Sequence, residues 1–164
     1  MSIGAKSLKR TRQETAAGVN TLEFTNRQRA KPLDTRRLRK ITEATLADLG
    51  VLHWNLGFHF VGPRTMARIN QTHLEHDGPT DVITFDYSEH ATRNTQHLHG
   101  EVFICVAVAV TQAREFDTTW QSEVARYVIH ALLHLCGYDD LNPKARREMK
   151  RHENRLVKKR CGNL

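Results

Sequence analysis

The sequence His130-Ala-Leu-Leu-His134-Leu-Cys-Gly137-Tyr-Asp139-Asp140 closes an apolar run with helical spacing that begins near Trp120. Histidines four residues apart lie one turn apart, so both imidazoles leave the same helix face. Gly137 is the residue type that takes the left-handed conformation ending a helix. Past that reversal, Tyr138-Asp139-Asp140 can fold back toward the two rings. Val124, Val128, Ala131 and Leu135 form one stripe of this segment, and Ile129 and Leu133 fall on the opposite side. A helix that is apolar nearly all round is buried, and two buried imidazoles without a task would cost desolvation. His130, His134 and Asp140 therefore read as three metal ligands that leave a fourth position for water. That is the arrangement of a catalytic zinc rather than a closed structural one.

The residue after His130 narrows the chemistry. A zinc peptidase carries Glu there as its general base, and this chain carries Ala131. The proton acceptor a peptidase needs is missing. Composition supplies a second constraint. The 164-residue chain is long enough for one core. Its net charge of +7 is unevenly spread. Residues 1–40 carry eleven Lys and Arg against three Asp and Glu, residues 141–164 carry nine against two, and the middle is acidic. Two basic ends around an acidic, metal-bearing centre suit a polyanion such as RNA. No apolar run is long enough to span a membrane and residues 1–20 lack a signal-peptide pattern, so a cytoplasmic protein is expected. The three cysteines are an odd number. Cys105 and Cys136 sit in apolar runs and read as reduced packing residues.

Working outward from the metal segment, residues 1–20 read as a disordered basic stretch, and residues 21–160 as a single domain. Leu22 and Phe24 alternate in a short strand at 21–25. Asp34 or Thr35 caps a helix to about Leu49, stopped by Gly50. Trp54, Leu56, Phe58 and Phe60 alternate in a strand. Pro63 opens a helix to about Thr72. Asp77–Asp81 is a turn, and Val82–Phe85 a strand. Residues 87–99 read as a mobile polar loop. A strand at 101–106 leads into a helix ending near Glu115. After the metal helix, Asn142 or Pro143 starts a basic helix to about Lys159 with a sparse stripe of Met149, Leu156 and Val157. The order gives an α+β domain: a small mixed β-sheet with packed helices, one of which carries the metal ligands.

The metal segment resembles the signature of the YbeY-type rRNA maturation endoribonucleases, His-Gly-x-Leu-His-Leu-x-Gly-Tyr-Asp-His, with Ala131 for the Gly and Asp140 for the third His. The likeness runs over most of residues 21–158. Asn70, Asp77, Pro79–Val82 and Phe85 are similar to one family segment. Gly100–Ile104 with Gln112 and Ala113 are similar to another, and Glu123, Met149 and Glu153 fall at matching places. The resemblance implies an α+β fold around one zinc and cleavage of single-stranded RNA. It also implies a role in 16S rRNA 3′-end maturation and ribosome quality control, with ribosomal RNA and the small ribosomal subunit as partners. One departure stands out: the family Arg four residues after Asn70 is Leu74 here, which cannot hold a phosphate bidentately. Arg64 and Arg68 lie nearby in sequence. Asp140 lowers the charge of the metal site relative to three His, and its oxygen makes manganese or another divalent ion more acceptable.

On this reading a metal held by His130, His134 and Asp140 polarises a phosphate oxygen and makes water acidic enough to attack phosphorus near neutral pH. No general base is evident. Asp139 is a candidate, with a turn role as its alternative. Asp81 is another, or an acceptor that orients a ligand histidine, or a turn cap. Glu123 shares the histidine face, with a helix-start charge as its simpler role. His73, His90, His97 and His99 lie in polar contexts and read as surface residues. Lys144, Arg146, Arg147, Lys150 and Arg151 are candidate RNA contacts. The competing function is a ribosome-assembly RNA-binding factor whose zinc only stabilises the fold.

Overall fold

The computed structural model describes residues 19–88 and 97–162. The expected basic segment therefore lies outside the described residues except for Val19 and Asn20, as does His90. Among the described residues, four strands and five helices follow in the order β1 (Thr21–Asn26), α1 (Thr35–Asp48), β2 (His53–Val61), α2 (Pro63–Leu74), β3 (Val82–Asp86), β4 (His97–Cys105), α3 (Val106–Glu115), α4 (Trp120–Leu135) and α5 (Pro143–Cys161). The sheet order is β1-β2-β4-β3. β1, β2 and β4 run parallel, and β3 pairs antiparallel with β4. The sheet is thus mixed, as the sequence predicts.

Alternation sorts the sheet's two faces. Leu22, Leu56, Phe58, Leu98, Val102 and Ile104 join Val124, Tyr127, Val128, Ala131, Leu132 and Leu135 of α4 and Leu38 and Leu46 of α1 in the main core. On the other face Ile83 and Phe85 pack with Met66 and Leu74 of α2. A third cluster lies between α4 and α5: Ala125, Ile129 and Leu133 against Met149, Leu156 and Val157. α4 is consequently buried from both sides, which is why its sequence is apolar nearly all round. At roughly 2 kcal/mol for each large aliphatic side chain withdrawn from water, these contacts hold α4 as the central post of the fold.

One expectation is corrected. Residues 97–99 are strand, not loop. His97 pairs with His53 and His99 with Asn55, because the nine-residue β2 offers ladder partners along its whole length. Leu98 between them is buried. The two exposed histidines make the segment look polar, but a strand with one wet face is half polar by construction.

Close packing dictates Gly100. A Cβ there would come 2.5 Å from the Phe85 carbonyl oxygen and 2.9 Å from Leu135 Cδ2. The glycine lets the β3–β4 ladder lie directly against the C-terminal end of α4.

Candidate metal centre

α4 begins where Thr119 Oγ1 accepts from Ser122 N at 3.1 Å. It ends in a reversal built by Gly137, whose φ is +88°. Gly137 N donates to His134 O at 2.9 Å and Tyr138 N to Leu133 O at 3.0 Å, the paired bonds of a Schellman stop. This turn aims the Tyr138 carbonyl back at the helix, where it accepts from His134 Nδ1 at 3.0 Å. The helix stop therefore also orients a candidate ligand.

His130 is oriented from elsewhere. Its Nδ1 lies 2.8 Å from Oε2 of Glu153, on α5. A carbonyl and a carboxylate only accept, so both Nδ1 atoms carry the ring proton, an assignment that follows from the hydrogen-bond network. With both rings neutral, as metal ligation requires, both Nε2 atoms are bare. They face each other at 3.0 Å. Two lone pairs so close repel unless a cation lies between them, and tetrahedral zinc with Zn–N of about 2.05 Å would hold two nitrogens about 3.3 Å apart. Asp140 completes the set, with one donor atom from each of His130, His134 and Asp140 all within 4.8 Å of one another. Donor type, tautomer and spacing fit a divalent ion.

Electrostatics agree with the donor role. Burial, reinforced by the neighbouring His130, lowers the His134 pKa to about 4, so the ring is neutral at pH 7. Burial pushes the Glu153 carboxyl up, but its bonds to His130 and Arg126 outweigh that and leave it below the usual range. It is therefore a carboxylate.

The other sequence candidates fall as follows. Asp139 Oδ1 accepts from Leu141 N at 3.1 Å. Asp81 Oδ1 accepts from Val82 N at 2.8 Å and Thr80 Oγ1 at 2.9 Å. Both carboxylates serve turns, and the acceptors on the two histidines are Glu153 and the Tyr138 carbonyl. Glu123 is buried in the first turn of α4, where it accepts from Thr118 Oγ1 at 2.7 Å and lies 3.8 Å from Arg126 Nε. His73 rests edge-on against Phe85. Leu74 packs into the apolar cluster under α2, and Arg64 and Arg68 are exposed. Lys144, Arg146, Arg147, Lys150 and Arg151 are all exposed on α5. Of these, Arg146 donates from Nη2 to the Asp140 carbonyl at 3.1 Å.

Motif reading gave Glu153 no task, although a signal was present. It stands in the stripe Met149, Glu153, Leu156, Val157, which is buried throughout. An acid on the apolar stripe of a helix needs a buried partner. Its partner Arg126 carried no signal of its own.

Against known proteins, the family model described as "Endoribonuclease YbeY" matches residues 23–160. The chain is 36% identical over 133 residues to Endoribonuclease YbeY of Chlorobium luteolum, covering 81% of this chain and 93% of that one. It is 32% identical over 132 residues to that of Salinibacter ruber, covering 78% and 84%. The solution structure of TM1509 from Thermotoga maritima superposes with a TM-score of 0.61 at 26% identity, over 87% of this chain and 90% of the other. With the family model spanning the sheet, the histidine helix and α5, this chain belongs to the YbeY endoribonuclease family.

Proposed function

We propose that the protein is a metal-dependent endoribonuclease, with one zinc ion per chain held by His130, His134 and Asp140. The observation that carries this is the pair of Nε2 atoms facing each other at 3.0 Å beside a carboxylate. A bound zinc would supply Lewis-acid polarisation of a phosphate oxygen and a water acidic near pH 7. The chain's own residues do the rest. Glu153 and the Tyr138 carbonyl fix the two rings, and the exposed Lys144, Arg146, Arg147, Lys150 and Arg151 hold RNA phosphates along α5. Asp140 contributes oxygen, so manganese or another divalent ion is a workable substitute. Family membership supports RNA as substrate, and the resemblance read in the sequence extends this to single-stranded RNA, 16S rRNA 3′-end maturation and quality control of the small ribosomal subunit in the cytoplasm. No helix among the described residues is long and apolar enough to cross a membrane. Asp81 and Asp139 remain the carboxylates to examine as general base, each by its Asn variant.

A second reading has one observation in its favour. Leu74 stands where the resemblance expects a phosphate-binding Arg, and it is packed into an apolar cluster. A ribosome-assembly factor with zinc as a mere staple would tolerate that. His134→Ala separates the two. Loss of single-stranded RNA cleavage with the fold and RNA affinity retained supports the enzyme. Unfolding of the variant supports the staple. Elemental analysis of the purified chain, with cleavage measured with and without chelator, tests both.

A further inference from the structure

Glu153 is a buried carboxylate, 6% exposed, in a stripe otherwise made of Met149, Leu156 and Val157. Its two oxygens are divided. Oε2 meets His130 Nδ1 at 2.8 Å, and Oε1 meets Arg126 Nη1 at 2.5 Å. The same Arg126 nitrogen reaches Asn154 Oδ1 at 2.8 Å, and its Nε lies 3.8 Å from Glu123 Oε2. A row of polar contacts therefore runs Glu123, Arg126, Glu153, His130, from the first turn of α4 by way of α5 to the candidate ligand. Stability alone gives little reason for it. Burying an ion pair costs desolvation that its attraction barely repays, and apolar residues in place of both partners are often as good or better. What an apolar residue lacks is an acceptor for the His130 ring.

Resting on the metal reading above, we propose that Glu153 is a positioning residue that sets the affinity of the metal site. It holds His130 with Nδ1 protonated and Nε2 turned to the ion, and Arg126 holds Glu153 in place. The C-terminal helix thereby becomes part of the metal centre although it supplies no ligand. A carboxylate behind a ligand imidazole fixes the ring's orientation and raises its donor strength.

The test uses the full chain and zinc alone, titrated against a chromophoric chelator. Glu153→Gln is expected to weaken zinc 10- to 100-fold. Arg126→Gln should weaken it by a smaller factor, because it acts on His130 only through Glu153. The double variant should match Glu153→Gln rather than multiply the two losses. Glu153→Leu combined with Arg126→Leu guards against a variant that fails to fold, since leucine suits the stripe and neither charge is left without its partner. It should stay folded without metal while losing zinc affinity. In nitrogen-15 spectra of that metal-free variant, the His130 ring should move from the Nδ1–H tautomer toward the mixture of a free imidazole. Equal zinc affinity in the wild type and both Glu153 variants overturns the proposal and leaves the metal reading standing. A wild-type chain that takes up no zinc overturns both.

Discussion

At the scale of single residues, the candidate site is a problem of which nitrogen holds a proton. His134 can bind an ion only as a neutral ring, and its burial secures that well into acid. The same burial makes the metal-free protein acid-sensitive. The folded pKa of about 4 lies below the ordinary 6.5, so the unfolded chain takes up the proton first. The contribution is fully present above pH 6.5, declines as pH falls toward about 4, and then stays lost. At 1.36 kcal/mol per unit, the loss is on the order of 3 kcal/mol. Glu153 adds to it lower down, because its depressed carboxyl gives stability that disappears as pH falls below its ordinary 4.5. Chemical denaturation of the chelator-treated protein at pH 7.5, 6 and 5 should show a falling midpoint. A flat profile would mean that His134 is solvated. The His130, His134 and Asp140 set was readable from sequence because helical periodicity and one glycine stop fix it within eleven residues. Glu153 was not, because it meets His130 across 23 residues and a separate helix.

Among the elements, α4 and β4 decide the most. Gly100→Ala puts a methyl group against the Phe85 carbonyl and Leu135, and neither the β3–β4 ladder nor the end of the metal helix can yield without strain. A loss on the order of 1–3 kcal/mol is expected, read as a lowered denaturation midpoint with unchanged slope. α5 divides its labour by face. Met149, Glu153, Leu156 and Val157 are buried against α4, while Lys150 and Arg151 point to solvent. If the outer face holds phosphates, Lys150→Ala with Arg151→Ala should weaken single-stranded RNA binding without loss of fold. The slope of log K against log salt should then become shallower by about 1.4, at roughly 0.7 for each phosphate that is no longer neutralised. An unchanged slope would assign those side chains to plain solvation. Element order was legible here because hydrophobic period, caps and stops agree locally: Asp34 and Asn142 cap the helices they precede. The early start of β4 was not legible, since pairing with β2 and not its own composition makes His97–His99 a strand.

For the molecule as a whole, the candidate metal site draws its donors from α4 and the turn beyond it, and an orienting acceptor from α5. An ion there would tie these parts together. Zinc at about one hundred times its dissociation constant should add about 2.7 kcal/mol, or roughly 5 to 10 °C in melting temperature for a chain of this size. Calorimetry with zinc and with chelator would show it, and superimposable melts would argue against an ion at the histidines. Sequence alone determined what short-range chemistry determines: the elements, their caps, the burial of α4, and three donors gathered by one helix and its stop. Tertiary structure alone decided the strand order β1-β2-β4-β3, the close approach that makes Gly100 necessary, and the meeting of Glu153 with His130. Those depend on which distant segments come together. Such meetings are selected by the packing of the whole core, and a local pattern carries no record of them.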